Sequence, residues 1–207
     1  SRGAVAQFVA EALDHELGRL LAGIDPGRYD VTVAGVGPDP VSRRRAEAIT
    51  GARVLVQAGA PLLSRAEAIA YEYIARYGPT GLLARVLRPE RALDREFRRR
   101  FGQAFFDIAV EYSAYPGVFT WMAAGGVGRR VLWQHSDLAS EIANRQKWQL
   151  AGTVPPAAPA IRALCATSDA VVTTSEALRD LASVRWGAGV SDGRFRVVES
   201  VIDAPRV

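Results

Sequence analysis

The sequence predicts an α/β domain with a mostly parallel sheet and helices on both of its faces. Two observations carry this. Short runs rich in β-branched residues alternate with amphipathic helical stretches along the chain. The cores of those runs, "IAV" at 108–110 and "VLW" at 131–133, are unbroken apolar stretches, as expected of strands covered on both sides. With 207 residues the chain is long enough to bury a real core as a single domain over 1–207.

The elements follow in order. Phe8, Val9, Leu13, Leu17, Leu20, Leu21 and Ile24 recur at threes and fours, which predicts an opening helix. Asp25-Pro26-Gly27 stops it. "YDVTVAG" (29–35) reads as a strand closed by glycine. A helix around 41–49 precedes a second strand, "RVLVQAG" (53–59). Ser64 and Glu67 form a capping box for a helix running to about Tyr77. The arginine-rich stretch 80–101 is helical, and Pro89 divides or kinks it. "FDIAVEYS" (106–113) is a strand, followed by a short apolar helix at 118–124. "RVLWQH" (130–135) is the next strand, and 136–149 reads as a helix or ordered loop. "AGTVPPAAPA" (151–160) is a proline-rich loop before a helix at 161–166. "DAVVTTS" (169–175) is a strand. Thr173 with Glu176 makes a second capping box, for a helix at 176–183. "FRVVES" (195–200) closes the series.

Composition narrows the function. The chain is 49% hydrophobic and 23% charged, an ordinary globular balance, and no apolar run reaches a membrane span of roughly 20 residues. The formal charge is +4, and the bases are arginine except for Lys147; this matches genomic base composition better than nucleic-acid binding. The one cysteine, Cys165, forms no internal disulfide and fits a reducing compartment. One cysteine and two histidines give no zinc spacing.

In sheets of this kind ligands bind outside the carboxyl ends of the strands. The residues expected there are Gly35 and Gly37, Gln57 to Gly59, Glu111 to Tyr115, Gln134 to Asp137, and Thr173 to Glu176, with Ser175 in the hydroxyl cluster. His135 at such a tip suits a general base, a hydrogen-bond donor to a sugar or phosphate, or a charge partner; it also suits a strand-end histidine bonded to backbone. Asp137 reads as a site carboxylate or as the N-cap of the next helix. Glu111 ends a nearly apolar strand, where a carboxylate is costly unless it serves a site or pairs with an arginine. Tyr112 and Tyr115 flank Ser113 and read as packing residues or as the rim of a polar cleft.

Several motifs are missing. "GVGPDP" (35–40) lacks the third glycine of the dinucleotide fingerprint, and no helix opens after it. "GGVG" (125–128) precedes a strand and reads as a turn. There is no Walker motif and no G-x-S-x-G elbow. Arg88, Arg91, Arg95, Arg98 and Arg99 form a stripe that suits anionic lipid head groups or an anionic acceptor, or a solvated face balanced by Glu90, Asp94 and Glu96. His15 reads as a surface residue.

Four segments in the same order, "DPGRYDVTV", "FRRRFGQAFFDIAVEYSAYPGVFTWMAA", "VLWQHSDLASE" and "DAVVTTSEALRD", resemble the amino-terminal half of GT-B glycosyltransferases. The likeness is greatest to the retaining bacterial group associated with teichoic-acid and other cell-envelope polymers. That group reads close to "FD-hydrophobic-V-D-F-S-G-Y" and "W-x-H-N-D"; here the equivalents are "FDIAVEYSAY" and "WQHSD". "FRVVESVID" is similar to the strand and "N-x-(V/I)-D" that close the first domain. The resemblance spans roughly residues 16 to 203.

It implies one half of a GT-B architecture: a Rossmann-like acceptor-side domain facing a second domain that holds a nucleotide-sugar donor. His135 would lie at the cleft and orient the acceptor or the reacting sugar, with Gly35, Gly59, Glu111, Ser113, Tyr115, Asp137 and Ser175 as substrate-binding candidates. The resemblance implies no metal and no cofactor beyond the nucleotide-sugar co-substrate. It implies a glycan, polyol-phosphate or lipid-linked acceptor, the chain's own carboxy-terminal donor domain as partner, no nucleic acid, and a cytoplasmic place that includes peripheral contact with an anionic inner membrane face. Positive charge and hydrogen-bond donors would stabilise the leaving diphosphate.

The departures set further expectations. The family's first strand and its glycine-rich loop have no match in residues 1–15, which predicts a gap near the sheet centre unless the amino-terminal residues or another chain fill it. Glu111, Ala114, Ser136 and Ser200 replace the usual aspartate, glycine, asparagine and asparagine. No donor domain is present, so the chain reads as a fragment that is inactive alone. The alternatives are a non-catalytic glycan- or protein-binding module and a nucleotide-sugar epimerase. The missing glycine fingerprint and Tyr-x-x-x-Lys pair count against the epimerase.

Overall fold

The computed structural model describes residues 5–9, 15–25, 27–36, 53–56, 64–77, 86, 89–101, 105–112, 127–140, 158–187 and 192–199. Among them, seven strands make one sheet: β1 (Val5–Val9), β2 (Asp30–Val36), β3 (Arg53–Val56), β4 (Phe106–Glu111), β5 (Val127–Gln134), β6 (Ala170–Thr173) and β7 (Phe195–Val197). Their order is β3-β2-β1-β4-β5-β6-β7, and every pair is parallel. Among the same residues the helices of eight residues or more are α1 (His15–Ala22), α2 (Arg65–Tyr77), α3 (Pro89–Phe101), α4 (Ala158–Thr167) and α5 (Glu176–Trp186). This is a Rossmann-like α/β domain: the chain winds outward one way through β2 and β3, then returns and winds the other way from β4.

The expected gap at the sheet centre is not there. Val5–Val9 forms the central strand, pairing with β2 through Val5↔Asp30 to Val9↔Ala34 and with β4 through Ala6↔Ile108 to Val9↔Glu111. The opening helix is correspondingly shorter, starting at His15. Phe8 and Val9 fit a helical period with Leu13, but apolar periodicity in so short a run does not separate strand from helix. Hydrogen bonds to two strands remote in sequence decide it.

Strand alternation divides the core in two. On one face Val31, Val33, Val110, Tyr112, Trp133 and Val172 pack with Leu17 and Leu21 of α1. On the other, Leu132, Val171 and Phe195 pack with Ile161, Leu164 and Cys165 of α4, Ala182 and Trp186 of α5, and Leu138. Each buried leucine here contributes roughly 1.5–3 kcal/mol. Leu132 and Trp133, adjacent in sequence, serve opposite faces, which is why the apolar run at 131–133 is continuous.

Several ends differ from expectation. The Ser64–Glu67 box forms: the Ser64 amide donates to Glu67 Oε2 at 2.8 Å and the Glu67 amide to Ser64 Oγ at 3.3 Å. Pro89 is the first residue of α3, where it has no helical hydrogen bond to lose. α4 begins at Ala158, inside the stretch read as a loop. Val127 and Gly128 belong to β5 rather than to a turn, because β4 supplies their partners. The cap of α5 is Ser175, whose hydroxyl accepts from the Leu178 amide at 3.2 Å; Thr173 is not the cap. Thr173 is fully buried at the end of β6, and its hydroxyl lies 3.2 Å from the Ser175 carbonyl and 3.3 Å from that of Arg196. The segments 41–49 and 118–124 lie outside the described residues. Among the described residues no helix is long and apolar enough to cross a membrane.

Candidate functional site

The strand order reverses between β1 and β4. In an open parallel sheet the crevice at this switch point, beyond the carboxyl ends, is the ligand position. Val9 and Glu111 are register partners there. Glu111 is 3% exposed, a buried carboxylate at the end of a strand whose other acid, Asp107, is exposed. On the other side of β1, Gly35 is the extra residue of a β-bulge, because β2 advances from Ala34 to Val36 while β3 advances only from Leu55 to Val56. Gly35 therefore lies inside β2 and does not end it.

One strand further along, β5 ends at Gln134 and the chain turns through His135, Ser136 and Asp137. His135 is half-buried. Its Nε2 lies 2.9 Å from the Tyr112 carbonyl oxygen, the first residue past β4. A carbonyl only accepts, so Nε2 carries the proton, and in neutral imidazole Nδ1 is then the accepting nitrogen. The ring meets Tyr112 edge-on at 4.4 Å and stacks with Trp133 at 6.3 Å. Tyr112 and Trp133 themselves lie 5.4 Å apart. Tyr112 is thus a packing residue whose backbone orients the histidine. The backbone-bonded reading of His135 is what the geometry displays.

Asp137 caps the helix that begins at Leu138. Its Oδ1 accepts from the Ala139 amide at 3.1 Å and its Oδ2 from the Ser140 hydroxyl at 2.6 Å. Arg185, in the last turn of α5, places Nη1 3.2 and 3.0 Å from the two oxygens. Partial burial works to raise the Asp137 pKa. It is outweighed by the Ser140 hydroxyl, the Ala139 amide and the Arg185 charge, so the net displacement is downward. Arg185 is the residue that sequence reasoning missed. It is 48 positions from Asp137, and no local spacing signals the pair.

Of the other candidates, Ser175 caps α5 and is exposed, and Gly59, Ser113 and Tyr115 lie outside the described residues. His135 and Asp137 thus share the turn after β5, whereas Glu111, in register with Leu132, alternates to the face opposite Val110 and Tyr112, and Gly35 lies across β1. Gln134, 1% exposed, points its amide at Cys165 Sγ, 3.9 Å away, on the α4 face. In the arginine stripe Arg91, Arg95, Arg98 and Arg99 are exposed; Arg95 bonds Glu67, and Arg98 bonds Asp94 at 2.9 Å. Phe97 faces inward against Phe106 at 6.0 Å. Among the described residues no group of three His, Cys, Asp or Glu side chains is arranged to hold a metal ion.

No family model matches the chain, and no curated protein does. Among solved structures it is similar to a short-chain dehydrogenase from Oenococcus oeni PSU-1, with 12% identity, 96% of each chain covered and a TM-score of 0.40. A likeness this distant carries no chemistry over to this chain.

Proposed function

We propose that this chain is the acceptor-side domain of a nucleotide-sugar glycosyltransferase, of hexosyltransferase type, acting on a cell-envelope polymer, lipid or glycan. The observation that carries the reading is the placement of His135. Its ring is held at the end of β4, one strand from the switch point, by the Tyr112 carbonyl. A half-buried imidazole oriented by a backbone carbonyl suits work on a hydroxyl, the group an acceptor sugar or polyol presents. The sequence resemblance supplies the rest: a carboxy-terminal donor domain closing over this rim, holding the nucleotide sugar and stabilising the leaving diphosphate without a metal. In this reading Gly35 gives backbone access, and Asp137 and Ser175 fix the loop ends around the acceptor. A cytoplasmic place, with the exposed Arg91 and Arg99 near an anionic membrane face, belongs to the same proposal.

The test has two arms. In the complete reading frame that carries this chain, His135→Ala should lower sugar transfer, followed as release of nucleoside diphosphate, by about tenfold or more. In the 207-residue chain, saturation-transfer NMR should detect an oligomeric glycerol-phosphate acceptor and lose it in His135→Ala. Near-normal transfer by the variant would refute the assignment of His135. Acceptor binding with no transfer by the complete protein would point instead to a non-catalytic binding module.

A further inference from the structure

We infer that Arg185 is a positioning residue for His135, acting through Asp137 to fix the turn that sets the imidazole on the rim. The inference adds regulation of geometry to the proposed acceptor site, and its meaning for transfer rests on that reading.

Between His135 and Leu138 the chain crosses the carboxyl edge of the sheet. His135 packs with Tyr112 and Trp133, two residues of the α1-side core. Leu138 is 2% exposed and lies in the opposite core, together with Trp186. The turn of Ser136 and Asp137 is therefore stretched between two separately packed faces. Its polar tie is Asp137. The carboxylate is 20% exposed and Arg185 is 42% exposed, and a single guanidinium nitrogen serves both oxygens. Each partner stands next to a buried neighbour: Asp137 precedes Leu138, and Arg185 precedes Trp186. The ion pair thus locks α5 to the turn at the place where the apolar contact already brings them together.

Isolated surface pairs contribute little to stability. This one is worth more as a constraint than as an energy. The two local hydrogen bonds, to Ala139 and Ser140, hold Asp137 to its own helix but not to the rest of the domain. Arg185 ties that helix start to α5. The Tyr112 carbonyl holds the histidine side of the turn, and Arg185 holds the aspartate side. The tautomer matters here: Nε2–H must keep facing the Tyr112 carbonyl for Nδ1 to stay an acceptor, so a ligand that binds His135 through Nδ1 must bring a donor such as a hydroxyl.

The experiment is imidazole 15N–1H NMR on the intact chain, with thermal melting in parallel. Wild type should display His135 as the Nε2–H tautomer. Arg185→Gln should move both ring-nitrogen resonances toward the average of exchanging tautomers, and Arg185→Lys should restore them, because one nitrogen suffices for both oxygens. Arg179→Gln is the control. Arg179 is on the same helix but pairs with Asp180, and its loss should leave His135 unmoved. Should Arg185→Gln not fold, Asp137→Asn retains the cap on Ala139 while removing the charge, and it should give the same displacement. Unmoved His135 resonances in the folded Arg185→Gln chain, or equal movement in Arg179→Gln, overturns the inference. The readout requires no acceptor and no transfer. A failure of the glycosyltransferase reading would appear in the His135→Ala assays and leave this result intact.

Discussion

Gly128 offers a quantitative check on the sheet. A Cβ built at this position lies 2.9 Å from the Asp107 carbonyl oxygen and 3.5 Å from Phe105 Cζ, whereas ordinary contact begins at 3.4 Å. The oxygen belongs to the backbone of β4, held in a parallel ladder that pairs Phe106 with Val127 and Ile108 with Arg129. It has no free rotation by which to withdraw. Gly128→Ala must therefore separate β4 and β5 locally by about half an ångström. Overpacking of this kind costs about 1–3 kcal/mol. Alanine returns about 0.4–1 kcal/mol by restricting the unfolded chain. The net loss is about 1–2 kcal/mol, or about 2–8 °C in Tm for a chain of this size. Gly193→Ala is the matched control, because nothing lies within 4 Å of its Cβ position, and it should be neutral or slightly stabilising. Urea titrations of the two variants, with unchanged m-values, give the difference. Equal stability of Gly128→Ala and Gly193→Ala would refute the pairing of Gly128 with β4, and would return 125–128 to the turn that its glycines suggest.

Two further outcomes follow from the titrating groups. The Arg95 guanidinium, helped by the Ser64 amide, holds Glu67 well below the usual carboxylate range, at about 2. Because the folded value is the lower one, its contribution is complete above the ordinary carboxylate pKa and disappears as pH falls through about 2. A 13C titration of the Glu67 carboxyl should find that midpoint, and Arg95→Gln should return it toward the ordinary value; an unchanged midpoint in the variant would exclude the pairing. Burial pushes the Cys165 thiol up to about 12, so in the folded chain it should resist iodoacetamide at pH 8 and react at the rate of a free thiol in denaturant. Rapid labelling of the native protein would contradict its place on the buried face of α4.

Local rules read local features correctly here. The Ser64–Glu67 box and the stop at Asp25–Gly27 are interactions within three residues, and both form, the second with the Gly27 amide on Asp25 Oδ1 at 2.8 Å. The same rule fails at Thr173. Its spacing to Glu176 matches a capping box, but the strand ends one residue later than that box requires. A buried β6 terminus takes the threonine, and Ser175 inherits the cap. His135 and Asp137 were legible as rim residues because an apolar run ends just before them. That Tyr112 would orient one and Arg185 clamp the other was not legible, since both partners arrive from other strands and helices.

The sequence by itself determined the class of fold, the identity of most strands and the list of residues at their carboxyl ends, because burial on both faces imposes unbroken apolar runs and helices impose their own period. Only the tertiary structure decided that Val5–Val9 is the central strand, where the sheet reverses, and which side chains meet at that point. Five residues of mixed apolar character satisfy helix and strand equally well until backbone hydrogen bonds from two distant strands choose between them. The same non-local pairing places Glu111 beside β1 and His135 on the carbonyl of Tyr112.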